Sequence, residues 1–167
     1  MRKSKDSYYL DIAVAVAERS TCLRRKYGAV IVKDDVIVST GYNGAPRGRA
    51  NCCDIGTCKR ASENIPHGER YELCRSVHAE QNAIIAAGYE KTNGATLYLA
   101  GIDVSEVHGE YGYGTEETII ENPDCCMMCK RVIINAGIKK VVFLSPKHGL
   151  EILRIVDVQE WIDKEDE

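Results

Sequence analysis

Apolar positions along this chain change spacing several times, and each change predicts an element. From about Lys5 to Arg19, Tyr8, Ile12 and Val16 recur every fourth residue, which predicts a helix with that face turned inward. In YGAVIVKDDVIVSTGYNG the helical spacing is lost. Two Val/Ile runs flank Asp34-Asp35 and predict a β-hairpin. Gly, Pro and Asn then punctuate the chain from GYNGAPRGRANCCDIGTC toward Arg75, which predicts loop with a short helical turn near Arg70. So long a poorly structured stretch in a compact domain is usually functional. Helical spacing returns from His78 to Ala87 with Gly88 as its stop, and again from Cys126 to Ala136 with Gly137 as its stop. ATLYLAGI, KKVVFL and EILRIV read as strands, and residues 103–122 as an inserted hairpin or extended loop. The short SPKHGLE link predicts a tight return and an antiparallel last pair. Asp157 with Glu160 resembles a capping box opening a short final helix. This order of elements predicts α/β layers around one mixed sheet.

Composition narrows the class. At 167 residues the chain is read as a single domain, 1–167, with length enough for a real core. With 44% apolar and 28% charged residues it reads as soluble and globular. A net charge of −3 offers no basic footprint for nucleic acid, and no apolar run approaches membrane-spanning length. The opening MRKSKDSYYLDIAVAVAERS has Asp11, Glu18 and Arg19 inside its apolar stretch and no small-residue cleavage site, so it is not read as a signal peptide. A cytoplasmic location follows, where thiols stay reduced. Eight cysteines, at 22, 52, 53, 58, 74, 125, 126 and 129, therefore point to metal or catalysis more than to disulfides.

Two clusters carry that chemistry. Cys126 and Cys129 have the C-x-x-C spacing that grips one zinc from the first turn of a helix, whose dipole and free N–H groups favour thiolate. His78 starts another helix and supplies a third ligand. Three protein ligands leave a fourth position open, which is the catalytic pattern. Glu80, two residues from His78, is too close for comfortable ligation but well placed to carry protons for a metal-activated water. A lone C-x-x-C or His-Ala-Glu is weak; together, each at a helix start after a loop, they are specific.

His78-Ala79-Glu80 and Cys126-Met127-Met128-Cys129 match the H-x-E and C-x-x-C signature of zinc-dependent nucleobase deaminases. With STCLRRKYGAVIV, STGYNGAPRG, NCCD, HAEQNAI and INAGIKKVVF, the chain from Ser20 to Phe143 resembles the deoxycytidylate (dCMP) deaminases. The resemblance implies a three-layer cytidine-deaminase-like fold with a central mixed five-stranded sheet flanked by helices. It implies hydrolysis of dCMP to dUMP, with Glu80 as the catalytic proton carrier and His78, Cys126 and Cys129 as zinc ligands. The alternatives are a deaminase of cytidine or a modified nucleotide, and a zinc-stabilised nucleotide-binding module without turnover. Glu80 argues against the last, since a structural site needs no proton shuttle. Cys125 stands where this family usually has proline, with Pro123 two places earlier, so Cys125 competes with Cys126 as the ligand; spacing favours Cys126.

The resemblance also implies a second, structural zinc. STC and NCCD place ligands at Cys22 and Cys52, and Cys58 and Cys74, in the cysteine-rich region 52–76, complete a four-thiolate set. His67 is the alternative fourth ligand, and Cys53 the alternative to Cys52. A loop with little core gains folding free energy from a closed zinc site. For substrate, Asn43 either forms a turn or, as in the family, contacts the sugar. Arg25 and Lys26, beside Arg24, are candidate phosphate contacts, with Arg47 and Arg49 nearby, and Ala79 lies between the two signature residues. The resemblance further implies dCTP and dTTP as effectors and a homo-oligomer, hexameric by family pattern. Adjacent apolar residues at Ile84-Ile85 and Val132-Ile133-Ile134 cannot share one helix face, which fits an added subunit surface.

Overall fold

The computed structural model describes residues 1–104, 117–146 and 153–161. Helix α1, Lys5–Ala17, is capped by Ser4, whose Oγ accepts the Ser7 N–H at 3.2 Å. Its buried face is Tyr9, Leu10, Ala13 and Ala17, one position round from the predicted one, and Tyr8 is 52% exposed. The cause lies in the sheet below. At Gly28 a Cβ would stand 2.0 Å from the Ala13 carbonyl oxygen, so α1 closes onto the sheet through small residues that hydrophobic spacing does not reveal.

Strands β1, Arg25–Lys33, and β2, Val36–Tyr42, form the predicted antiparallel hairpin. Asp34 and Asp35 turn it with positive φ of 51° and 63°, the left-handed pair that matches strand twist in a two-residue turn. The stretch expected to be loop contains two short helices, α2 (Cys52–Ile55) and α3 (Lys59–Ser62), and a 3₁₀ turn at Tyr71–Leu73 just after Arg70. Helix α4 spans Ala79–Ala87 and ends at Gly88; α5, Tyr89–Thr92, follows it and was not foreseen. Then come β3 (Thr96–Asp103), the short β4 (Thr118–Ile119), α6 (Met127–Asn135), β5 (Lys140–Leu144) and β6 (Leu153–Asp157). The Asp157 side chain accepts the Gln159 N–H at 2.9 Å, opening a final helical turn. Most of the predicted insertion, 105–116, and part of the SPKHGLE return, 147–151, lie outside the described residues.

The sheet order is β2-β1-β3-β5-β6, with β4 added to the edge of β3 beyond β5. Among the described residues only β3 and β5 pair in parallel; β5 and β6 are antiparallel, as expected. Alternation along the strands divides the core. Ala29, Ile31, Leu97, Leu99, Val141 and Phe143 face α4 and α6, while Val30, Val32, Tyr98, Ala100 and Val142 face α1. The result is the expected three-layer α/β arrangement, its five-strand path joined among the described residues by the two-residue β4. No helix among the described residues is long and apolar enough to cross a membrane.

Candidate metal centre and its cavity

Two helix starts meet at one end of the sheet. A backbone bridge between Gly44 and Val77 holds the chain entering α4 beside the end of β2. Gly41 sets how closely α4 lies on β2, since a Cβ there would be 2.4 Å from both the Ala79 carbonyl oxygen and the Ala83 nitrogen. Asn82 donates to the Tyr42 carbonyl at 2.8 Å, and Gln81 accepts the His78 N–H at 3.1 Å. His78 and Cys126 are the residues that cap α4 and α6, so both project from helix N-termini.

These caps bring a donor set together. His78 Nδ1 lies 3.5 Å from Cys126 Sγ and 3.3 Å from Cys129 Sγ, and all three ligand atoms fall within 4.8 Å of one another. A tetrahedral zinc with bonds of about 2.0–2.3 Å separates its ligand atoms by roughly 3.5 Å, which the two His78–sulfur distances match. The Cys129 thiol hydrogen bond, with His78 adding to it, holds Cys126 well below the ordinary thiol range; the same hydrogen bond pushes Cys129 up. Both effects favour thiolate at Cys126 over thiol.

Glu80 sits in the first turn of α4, 5% exposed, and burial raises its carboxyl above the ordinary range. Cys125 is not in the donor set. Its buried thiol hydrogen bonds to the Glu80 carboxylate, while Cys126 turns to His78.

A cavity of about 810 Å³ opens onto this centre, with Arg25, Tyr27, Asn43, Ala79, Glu80 and Asn122 among its lining. Asn43 Oδ1 accepts from Ser20 Oγ at 2.6 Å and from the Tyr27 N–H at 2.7 Å, and its Nδ2 donates to the Arg25 carbonyl at 2.9 Å. The side chain therefore ties the GYNG turn to β1 and keeps one amide hydrogen for a ligand. Arg25 lines the cavity and pairs with Asp103 at 3.5 Å. Lys26 does not line it. One residue along β1 reverses the side chain, so Lys26 shares the side of Gly28 and Val30, and its ammonium pairs with Glu117. Arg47 and Arg49 are exposed and also stand outside the lining.

Cys22, Cys52, Cys58 and Cys74 lie close enough that each of Cys22 and Cys52 feels the charge of Cys58 and Cys74. Burial, then these neighbours, raises Cys52 to about 11. The four do not close to the spacing of the first donor set, the one such group among the described residues. Cys53 is exposed beside Asp54, and His67 faces three arginines. Arg60 and Tyr71, missed in the sequence, line the cavity. Tyr71 meets the His78 ring edge-on at 5.3 Å.

The family model for the cytidine and deoxycytidylate deaminase zinc-binding region matches residues 3–145. A deoxycytidylate deaminase of Schizosaccharomyces pombe is 32% identical over 163 residues, covering 95% of this chain and 44% of that protein. One from Mycobacterium phage D29 is 39% identical over 147 residues, covering 85% of this chain and 95% of the relative. The chain thus spans under half of the yeast protein and nearly all of the phage one. A dCMP deaminase from cyanophage S-TIM5, solved in complex with dCMP and dUMP, superposes with a TM-score of 0.53 at 26% identity, covering 86% of this chain and 82% of that one.

Proposed function

Because this chain belongs to the cytidine and deoxycytidylate deaminase zinc-binding family, we propose that it hydrolyses the 4-amino group of dCMP, giving dUMP and ammonia. One observation carries the reading: His78, Cys126 and Cys129 converge at a cavity wall with a buried carboxyl, Glu80, on the same helix turn. Zinc, when bound, supplies Lewis-acid chemistry that makes water nucleophilic near neutral pH. Glu80 is placed where it would pass one proton of the attacking water to N3 of the base and carry the second to the departing amine. Its raised affinity for protons suits both transfers. Ala79 is the first residue of α4, so its N–H has no intrahelical acceptor and donates to the pyrimidine carbonyl. The free amide hydrogen of Asn43 is offered to the sugar.

The four cysteines 22, 52, 58 and 74 hold a second, structural zinc under the excursion from α2 to the 3₁₀ turn; their mutual proximity supports this. Residues 1–167 act as one cytoplasmic deaminase domain, with dCTP and dTTP as effectors. The assembly is a homo-oligomer, a hexamer. Ile85 at 67% and Tyr89 at 63% exposure supply apolar surface for it, whereas Ile133 is consumed by the core. Light scattering from the zinc-loaded protein at one chain's mass, 18.5 kDa, removes the assembly. For the reaction, E80Q keeps the three ligands and is expected to retain zinc while losing ammonia release by about 10²–10⁴-fold. Near-normal turnover in E80Q defeats the mechanism.

A further inference from the structure

The chain reaches Cys126 through residues 122–125, a stretch that is neither helix nor strand. Asn122 has a φ of 51°, a backbone state that a non-glycine residue keeps only when its surroundings hold it. Its N–H donates to Ser145 Oγ at 3.2 Å, and that hydroxyl donates back to Asn122 Oδ1 at 3.2 Å. Pro123 is fully buried, and its carbonyl accepts from an Nη of Arg154. The same Nη lies 3.7 Å from the Asp124 carboxylate, which also accepts from Lys130 Nζ at 3.1 Å. Residues 122, 123 and 124 are therefore each held by a side chain from elsewhere: Ser145 just after β5, Arg154 on β6 and Lys130 on α6.

Arg154 is the costly member of this set. It stands opposite Phe143 in the β5–β6 register, so strand alternation turns it to the face on which α6 packs. Its guanidinium carbon lies 4.1 Å from the Phe143 ring centre. Its Nε is the one fully buried side-chain nitrogen or oxygen without a partner among the described residues. An unpaired buried donor is expensive, and an apolar side chain of similar length would avoid it. What the arginine adds is the fork, which reaches past Phe143 to the loop and joins Pro123 to Asp124. Two residues of chain, at most about 7 Å, carry Asp124 to Cys126, so a loop released there also frees the first sulfur ligand. That sulfur must meet a ligand from another helix, His78, at 3.5 Å. A proline directly before Cys126 would stiffen this entry through its fixed φ. Cys125 stands there instead, and the side-chain clamp supplies the stiffness.

We infer that Arg154 is a positioning residue for the metal centre: by clamping Pro123 and Asp124 against β5 and β6, it fixes where Cys126 meets His78. The inference rests on that centre binding metal, and its test reads metal affinity without substrate. Zinc is titrated against a chelator, and Co(II) absorption reports the geometry of the site, with Cys126→Ala supplying the background from the other cysteines. R154M keeps the contact with Phe143 and removes the fork together with its unpaired Nε. It is expected to melt close to wild type, to bind zinc about 10- to 100-fold more weakly, the scale for a residue that orients a ligand, and to give an altered Co(II) spectrum. R154K, which can still donate to the Pro123 carbonyl, is expected to regain part of the affinity. Wild-type affinity and an unchanged spectrum in R154M overturn the inference, as does R154K no better than R154M. Affinity lost only in step with a large fall in melting temperature makes Arg154 a structural prop and overturns it too. If R154M does not fold, D124A, at an exposed position, cuts the same clamp, and unchanged affinity there overturns it equally. A chain that binds zinc but leaves dCMP intact fails the deamination reading, and the clamp stands. A chain that releases ammonia while R154M binds zinc normally does the reverse.

Discussion

Replacing Gly41 by Ala should damage the metal centre without touching any of its ligands. The added Cβ lies 2.4 Å from the Ala79 oxygen and the Ala83 nitrogen, both backbone atoms of α4. Ordinary contact needs about 3.5 Å, so α4 must retreat by roughly 1 Å. That helix carries Glu80 and is capped by His78, whereas Cys126 and Cys129 ride on α6 and do not follow. Overpacking of this kind costs about 1–3 kcal/mol, a fall of about 2–12 °C in melting temperature at this chain length. A 1 Å misplacement of reacting groups costs about 10²-fold in rate. Gly28→Ala is the control. Its Cβ would meet the Ala13 oxygen at 2.0 Å, an equally hard clash, but on the α1 face of the sheet. Zinc content, melting temperature and kcat/KM for dCMP are measured on both variants at a temperature where both are folded. Both should melt early, and only Gly41→Ala should lose zinc affinity and rate. Equal catalytic loss in the two, or full activity in Gly41→Ala, refutes the positioning argument.

Three further outcomes are expected. Cys126→Ala should lose the catalytic zinc by metal analysis while Cys125→Ala keeps it, because only the Cys126 thiol faces His78; the reverse puts the ligand register one residue out. Purified protein should carry about two zinc ions per chain, and Cys52→Ala should lower that by about one and reduce the melting temperature; a ratio near one with full stability removes the second site. Burial raises Tyr27 from 10 to about 12, so its contribution to stability is complete below pH 10 and is lost as pH rises toward 12. Urea unfolding at pH 9 and 11 should show a smaller loss in Tyr27→Phe than in wild type; an equal loss contradicts the assignment.

Much of this architecture was legible because strong periodicity and strong punctuation coincide. The Val/Ile runs around Asp34-Asp35 and the glycines closing α4 and α6 leave little freedom, and the structure follows them. The donor set was legible because His78 and Cys126 cap helices after loops, a position that sequence marks, and Cys129 follows one turn on. Elsewhere the determining feature was the absence of a side chain. Gly28 and Gly41 set the seats of α1 and α4, and hydrophobic spacing carries no record of a missing Cβ, so the face of α1 was read one residue off. Lys26 was grouped with Arg25 by adjacency, but strand alternation sends neighbours to opposite faces. Arg60 and Tyr71 lie in a stretch without period, where only three-dimensional proximity makes them visible.

The most direct measurement is product analysis after incubating the zinc-loaded chain with dCMP. The geometry of His78, Cys126, Cys129 and Glu80 predicts dUMP and ammonia appearing in equal amounts, and neither after chelation of the metal. Unchanged dCMP in the presence of protein whose catalytic site is shown to hold zinc would contradict it.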